Sequence, residues 1–363
     1  MRIWDITPGG GAAGSAFIEN EHDVFEVDVT EDYLVLALAD DVVNPVGTIV
    51  FDRSTGRQVT RYSFLASLPF RPRVATSENM ITGVEADGQV KIVELGTGKV
   101  VRDLPSCSSP SAVAPDARYV VLDAVIAEVV NACGEAPSPV SGIYDVAKQK
   151  LVVDYERRHV RYGAVSDDST FDGTRYAAAM IDTEGTTRVE MWALDPARLL
   201  GTVTQETVGD LYILLLEFSS DGHYLAIGSG GSKVLVVDIE QLSEGAGIED
   251  AVVFDKEVHT GNAPLAHVTD DRRVITAGFD GFYRFWDLDS GSLLFEMEVD
   301  DVRFAPAHDL SPDETFFYYE DGNGVVRRMP TDLDEMIELS VGSVTRTLSD
   351  DECRRYLHTD GCE

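Results

Sequence analysis

Short apolar runs recur along the whole chain, each bracketed by clusters of Asp, Gly, Ser and Pro. The runs Tyr33 to Ala39, Tyr119 to Val130 and Tyr224 to Ile227 each follow an acidic or glycine-containing turn. Continuous apolar character over so few residues fits strands buried on both faces, where nothing requires alternate positions to be polar. The clearest unit predicts a strand near Leu265 to Val268, a turn at Asp270-Asp271 and a strand from Val274 to Gly278. A turn at Asp280-Gly281, a strand from Tyr283 to Leu288, a turn at Asp289-Ser290-Gly291 and a strand from Leu293 to Val299 complete it. Four short strands joined by tight turns make an antiparallel meander.

The ending of the third strand recurs as Trp4-Asp5, Phe51-Asp52, Val93-Glu94, Tyr144-Asp145, Trp192-Ala193, Val237-Asp238, Trp286-Asp287 and, degraded, Arg328-Met329. Successive second positions are 47, 42, 51, 48, 45, 49 and 42 residues apart, which is the period of a propeller blade. The turn before the second strand repeats independently: Glu31-Asp32-Tyr33, Ser77-Glu78-Asn79, Pro115-Asp116, Asp172-Gly173, Ser220-Asp221-Gly222, Asp270-Asp271 and Ser311-Pro312-Asp313.

Seven sets of first, second and third strands fit between Val24 and Met329, but the last set lacks an outer strand. Ser15 to Asn20, after the turn Gly9-Gly10-Gly11, can supply it and close the ring, removing an open edge. Arg2 to Ile6 would then be surplus, or paired at the rim. The expected architecture is all-β, a seven-bladed β-propeller over residues 1–330, with a helical tail over 331–363 packed on it. In that tail Thr331 is expected to cap a helix striped by Leu333, Ile337 and Val341, and Ser349-Asp350-Asp351-Glu352 forms a capping box with Leu348 stapling against Cys353.

Composition fits this picture: 363 residues, 44% apolar, with 31 glycines, suit a well-filled core. Charge adds a constraint on partners. Asp and Glu number 64 against 29 Lys and Arg, a formal charge of −35, and six of the basic residues are Lys. Such a chain repels a phosphate backbone, so nucleic acid is excluded as a partner and a cationic protein or peptide is favoured. A solvated acidic surface suited to a salty habitat explains the same charge without any partner. No apolar run reaches membrane-span length, and Met1-Arg2-Ile3-Trp4-Asp5 is no signal peptide.

The segment from Asp280 to Gly291, Asp-Gly-Phe-Tyr-Arg-Phe-Trp-Asp-Leu-Asp-Ser-Gly, resembles a WD40 repeat, and Arg2-Ile3-Trp4-Asp5-Ile6 resembles a remnant of another. In that family a hydrogen-bonded set of His, Ser or Thr, Asp and Trp ties a blade. The resemblance implies this tetrad at His259, Thr276, Asp280 and Trp286. Other blades depart from it, carrying Phe, Val or Tyr where Trp stands. The ending from Val344 to His358 resembles the tail of bacterial WD40 regions that follow STAND-type NTPase, transcription-regulator or nucleotide-cyclase domains. That likeness implies the sensing or scaffolding end of a signalling protein.

Candidate chemistry is sparse. Cys107 and Cys133 fall in two loops on one face of the third blade, and Cys353 and Cys362 bracket one helical segment, so two disulfides are geometrically allowed; free or buried thiols are the alternative. Bridged cysteines would indicate an extracytoplasmic location and free ones the cytoplasm. Cys353, His358 and Cys362 fall one ligand short of a structural zinc site. Asp40-Asp41, Asp167-Asp168 and Asp300-Asp301 read as solvated turns, since none shows the spaced oxygens of a calcium loop. His22, His159 and His259 share the position before a first strand and read as turn or tethering residues. Gly228-Ser229-Gly230-Gly231 joins two strands and opens no helix, so it is no phosphate cradle.

No nucleophile elbow is present, and innermost strands such as Ala112 to Ala114 and Leu215 to Phe218 read as mainly apolar. A non-catalytic, monomeric scaffold with no cofactor and no metal is therefore expected to bind a protein or peptide. The alternative is a propeller hydrolase or lactonase, which needs acids and histidines converging on the central channel. A ligand sensor is a third reading. Binding is expected on the loops Asp40 to Pro45, Asn131 to Pro139 and Gln241 to Asp250, or at rim aromatics Phe70, Tyr212 and Phe282.

Overall fold

A computed structural model describes residues 15–19, 23–41, 44–64, 72–75, 77–85, 88–105, 108–124, 140–155, 159–166, 175–181, 187–194, 196–204, 213–229, 231–261, 265–298, 307–320, 325–332 and 334–335. They form seven four-stranded antiparallel sheets. Blades 1 to 6 lie over residues 23–62, 73–104, 108–154, 159–204, 213–257 and 265–298, each with its strands paired in chain order. Blade 7 differs. Its strands His308–Leu310, Phe316–Glu320 and Val325–Pro330 receive their outer partner from Ser15–Glu19, which pairs with the third strand from Ser15 opposite Arg328 to Glu19 opposite Val325. The first and last described strands thus share one sheet, and the third strand of the last blade is paired on both sides.

Seven apolar clusters, one at each junction between neighbouring blades, make up the core among the described residues. The second strands serve two junctions at once: Leu34, Leu36 and Leu38 pack toward blade 7, while Val35 packs toward blade 2. This accounts for their unbroken apolar runs, because both faces of a sheet in the ring are covered. Outer strands behave differently. Leu293–Glu298 is mostly exposed with only alternate positions half-buried, as suits a rim facing water on one side.

The repeated acid at the end of the third strand has a structural cause. Asp52 Oδ1 accepts the amide of Thr55 at 2.8 Å, Asp145 Oδ1 that of Lys148 at 2.8 Å, and Asp287 Oδ1 that of Ser290 at 2.7 Å. Each carboxylate closes the turn into the outer strand as an Asx-type turn. On the preceding turn, a hydroxyl does the equivalent work. Thr30, Ser219, Thr269 and Ser311 Oγ atoms accept the amides of Tyr33, Tyr224, Arg273 and Phe316 at 2.9 to 3.1 Å.

Several sequence expectations need correction. The segment Gln241 to Asp250 is no free loop: it carries helices α1 (Ile239–Ser243) and α2 (Ile248–Ala251). Asp238 caps α1 through Gln241 N at 3.0 Å, and Ile239, Leu242 and Ala251 are buried in the junction of blades 4 and 5. Its apolar residues were an inward-facing helical pattern too short to register as a period. Asp40 to Pro45 is not a long loop either, because the strands pair to Asp41 opposite Asn44. Thr331 does not cap the tail. Asp332 Oδ1 accepts Glu335 N at 2.9 Å, while the buried Thr331 hydroxyl donates to Glu314 O. The rest of the tail, Arg2 to Ile6, Asn131 to Pro139 and all four cysteines lie outside the described residues, as do Phe70, Tyr212, His22, His358, Asp167-Asp168 and Asp300-Asp301.

Candidate functional site

The structure brings His259, Thr276, Asp280 and Trp286 into one chain of hydrogen bonds. Trp286 Nε1 donates to Thr276 Oγ1 at 3.1 Å, Thr276 Oγ1 lies 3.0 Å from His259 Nε2, and His259 Nδ1 lies 2.8 Å from Asp280 Oδ1. With Asp280 ionised, the network places the imidazole proton on Nδ1 and leaves Nε2 to accept from the threonine. Asp280 also accepts Thr260 N at 3.0 Å and Arg284 Nη1 at 2.8 Å. Arg284 is a fifth member that the motif did not reveal. Its Nη1 also donates to Val258 O at 3.1 Å, and its carbon Cζ stands 4.8 Å over the Phe282 ring. Gly278 makes room for the set, since a Cβ there would lie 2.4 Å from the His259 ring.

Burial alone would raise the Asp280 pKa, but the Arg284, Thr260 and His259 hydrogen bonds outweigh it and hold the carboxyl at about 2. Burial lowers the His259 pKa, against the pull of Asp280, so the ring is neutral in the fold. Both groups make stability fall on acidification. Below about pH 6.5 the unfolded chain takes up an imidazole proton that the folded site resists, and below about pH 4 it takes up a carboxyl proton as well. Stability from Asp280 is complete above pH 4 and is lost as pH falls toward 2. Melting curves from pH 8 to pH 3 should show that His259→Gln loses less stability than wild type as pH falls below 6.5, a difference in which the axial Glu217 and His267, titrating in both chains, cancel. An unchanged profile in that variant would refute the assignment.

A second cluster occupies the propeller axis. In every blade the third residue of the second strand pairs with one residue of the innermost strand, and around the ring these residues are Asp28, Arg73, Ala112, Ala164, Glu217, His267 and Asp309. Five of seven equivalent positions therefore carry an ionisable group. Innermost strands such as Leu215 to Phe218 are mainly apolar as expected, but the position at this level of the ring is not: there Leu215 to Phe218 places Glu217. Among the described residues, one ring nitrogen of His267 and one carboxylate oxygen each of Glu217 and Asp309 lie within 4.8 Å of one another.

The neighbours of this cluster are specific. His267 Nδ1 meets Glu217 Oε1, Asp309 Oδ2 accepts Val29 N at 2.6 Å and Asp309 Oδ1 accepts Leu310 N at 2.8 Å. Arg73 Nη1 is taken by Glu26 Oε1 at 2.5 Å. Burial pushes Glu217 up to about 8, with Arg73 opposing, and pushes His267 down to about 4. Burial, with repulsion from Glu26 for Asp28 and from Glu217 for Asp309, also holds both aspartates well above the carboxylate range. Carboxyls gathered at a narrow axis resist holding their charges together.

The chain is 30% identical over 152 residues to the WD repeat-containing protein RUP1 of Arabidopsis thaliana, a stretch covering 41% of this chain and 36% of that protein. Seven four-stranded blades and the bonded His-Thr-Asp-Trp set accompany that likeness. The chain is a WD40-repeat propeller. No protein-family model matches it, and the match spans little more than a third of the relative's length.

In this WD40 propeller, connections alternate between the two ends of each meander, so the first and third turns of every blade share one face. That face carries Glu31, Asp32, Asp52, Asp116, Asp145, Asp221, Asp270, Asp271, Asp289, Asp313 and Glu314. Some acids there bind one another's neighbours across blades. Ser220 Oγ is 2.6 Å from both Asp270 Oδ1 and Glu314 Oε1, and Glu314 Oε2 accepts Asp270 N at 2.8 Å. Between blades 7 and 1 the face opens into a cavity of about 300 Å³ lined by Glu31, Asp32, Asp52 and Asp313 together with Phe316, Tyr318, Arg53 and Arg328, and Arg328 Cζ stands 4.6 Å over the Phe316 ring. No helix among the described residues is long and apolar enough to cross a membrane. Phe282, the rim aromatic within the described residues, is half-buried beneath Arg284.

Proposed function

We propose that this WD40 propeller is a non-catalytic interaction platform whose acidic turn face binds a Lys- or Arg-rich segment of a protein partner. The observation that carries the reading is the cavity between blades 7 and 1, whose lining includes four carboxylates, Glu31, Asp32, Asp52 and Asp313, and in which the Arg328 guanidinium already stands 4.6 Å over the Phe316 ring. Exposed carboxylates supply charge-assisted acceptors for guanidinium or ammonium groups. The overall charge of −35 adds long-range attraction for such a partner. The signalling setting suggested by the chain's tail is part of this proposal, as is a monomeric state.

Fluorescence anisotropy with labelled Lys/Arg-rich peptides on the intact chain tests it. Binding should weaken as salt rises from 50 to 500 mM, as expected for contacts between exposed charges. The triple variant Glu31→Lys/Asp32→Lys/Asp313→Lys, checked for folding by circular dichroism, should lose at least tenfold in affinity. Equal affinity in a folded variant would dismiss this face.

A further inference from the structure

We infer that the axial cluster of Glu217, His267 and Asp309 is a binding site for one divalent transition-metal ion, with Asp28 offering a further oxygen donor at the same level of the ring. The three groups come from the innermost strands of three successive blades, 5, 6 and 7, and Asp28 from blade 1 next to them. A donor atom from each of the first three lies within 4.8 Å of the others. An ion with bonds of about 2.1 Å holds tetrahedral ligands about 3.4 Å apart, so small side-chain adjustments complete the contact.

His267 is the buried nitrogen donor of the set. Its side chain is only 6% exposed, and its Nε2 has no hydrogen-bond partner. A buried ring nitrogen left unpaired forfeits a hydrogen bond that water would supply, unless something else engages it. The ring is also held in place: it stands on a strand between the buried Ala266 and Val268, and its edge packs on the His308 ring at 4.6 Å. Glu217 keeps a third of its side-chain surface accessible, 33%, so the axis admits a solvated ion.

Charge favours the same occupant. Glu26 already engages Arg73, the guanidinium at this level of the ring. Asp28, Glu217 and Asp309 remain as oxygen donors at the axis, a set that a doubly charged ion suits. One imidazole with two or three carboxylates suits Mn²⁺, Fe²⁺ or Zn²⁺ better than Ca²⁺, which prefers a shell of oxygens alone. Bound there, the ion would tie together the inner strands on either side of the blade at which the ring closes.

The test uses the full chain, stripped with a chelator and titrated with Mn²⁺, an ion that avoids thiolate ligands. Calorimetry should give one tight site per chain, with the melting temperature raised by about 3–4 °C at a hundredfold excess over Kd. Glu217→Gln/Asp309→Asn should weaken binding at least tenfold, while the exposed Asp289→Asn should leave it unchanged. If the double variant does not fold, Glu217→Gln alone and pulsed electron paramagnetic resonance of the wild type decide. Nitrogen coupling to the bound Mn²⁺ that disappears in His267→Gln supports the site. No saturable Mn²⁺ site, equal affinity in the folded variants, or a signal without nitrogen coupling would overturn it.

Discussion

Replacing Asp280 with alanine is expected to lower the stability of the propeller by about 3–5 kcal/mol, the range for removing one partner of a buried charge pair. Its side chain is 7% exposed and accepts from His259, Thr260 and Arg284. The alanine variant would leave the 14%-exposed Arg284 guanidinium without its principal counter-charge and the His259 Nδ1–H without an acceptor. Asp280→Asn should lose less, since one amide oxygen remains. Adding Arg284→Met to Asp280→Ala should recover part of the loss, because charge and partner are then removed together. Urea unfolding followed by near-ultraviolet circular dichroism reads these differences. An alanine variant within 1 kcal/mol of wild type would show that the network contributes geometry without stability.

Deleting residues 1–20 should have a comparably large effect by another route. Ser15–Glu19 is the outer strand of blade 7, and without it Val325–Pro330 becomes an open edge. Because the blade 7 to blade 1 junction buries Val24, Leu34, Tyr318 and Val326 in one cluster, loosening blade 7 weakens the seam that closes the ring. The expected result is a fall of at least about 10 °C in melting temperature, several kcal/mol for a chain of this size, with concentration-dependent self-association in light scattering. A peptide covering residues 12–22 supplied in trans should reverse part of both changes by strand addition. A deleted chain that stays monomeric and melts as wild type would show that closure does not depend on this strand.

Blade number and ring closure were legible because two landmarks share one period. The acids ending the third strands of blades 1, 3, 5 and 6 and the hydroxyls opening the first turns of blades 1, 5, 6 and 7 make local hydrogen bonds to amides three to five residues away, so their signatures survive in the linear sequence. The helices α1 and α2 were not legible, since four or five residues of inward-facing pattern cannot be told from a polar insertion until Leu242 and Ala251 find the blade 4 to blade 5 core.

The axial cluster was missed for a related reason. Asp28, Glu217, His267 and Asp309 stand up to 281 residues apart, the first three flanked by apolar neighbours, and singly each looks like a stray polar residue in a strand. Counted back from the first residue of the second strand they lie 5, 7, 6 and 7 residues away, so unequal first turns keep them out of one column of the sequence, and only strand pairing sets them at one level. Arg284 escaped similarly, because its role depends on Asp280 and Val258 being folded against it.

The sequence by itself determined the strand pattern, the seven blades and the N-terminal strand that completes the last one, because these follow from periodicity and short-range hydrogen bonding. Only the tertiary structure decided what the ring encloses. A propeller turns one register position of seven distant strands toward a common axis, and charges that never meet along the chain become immediate neighbours there.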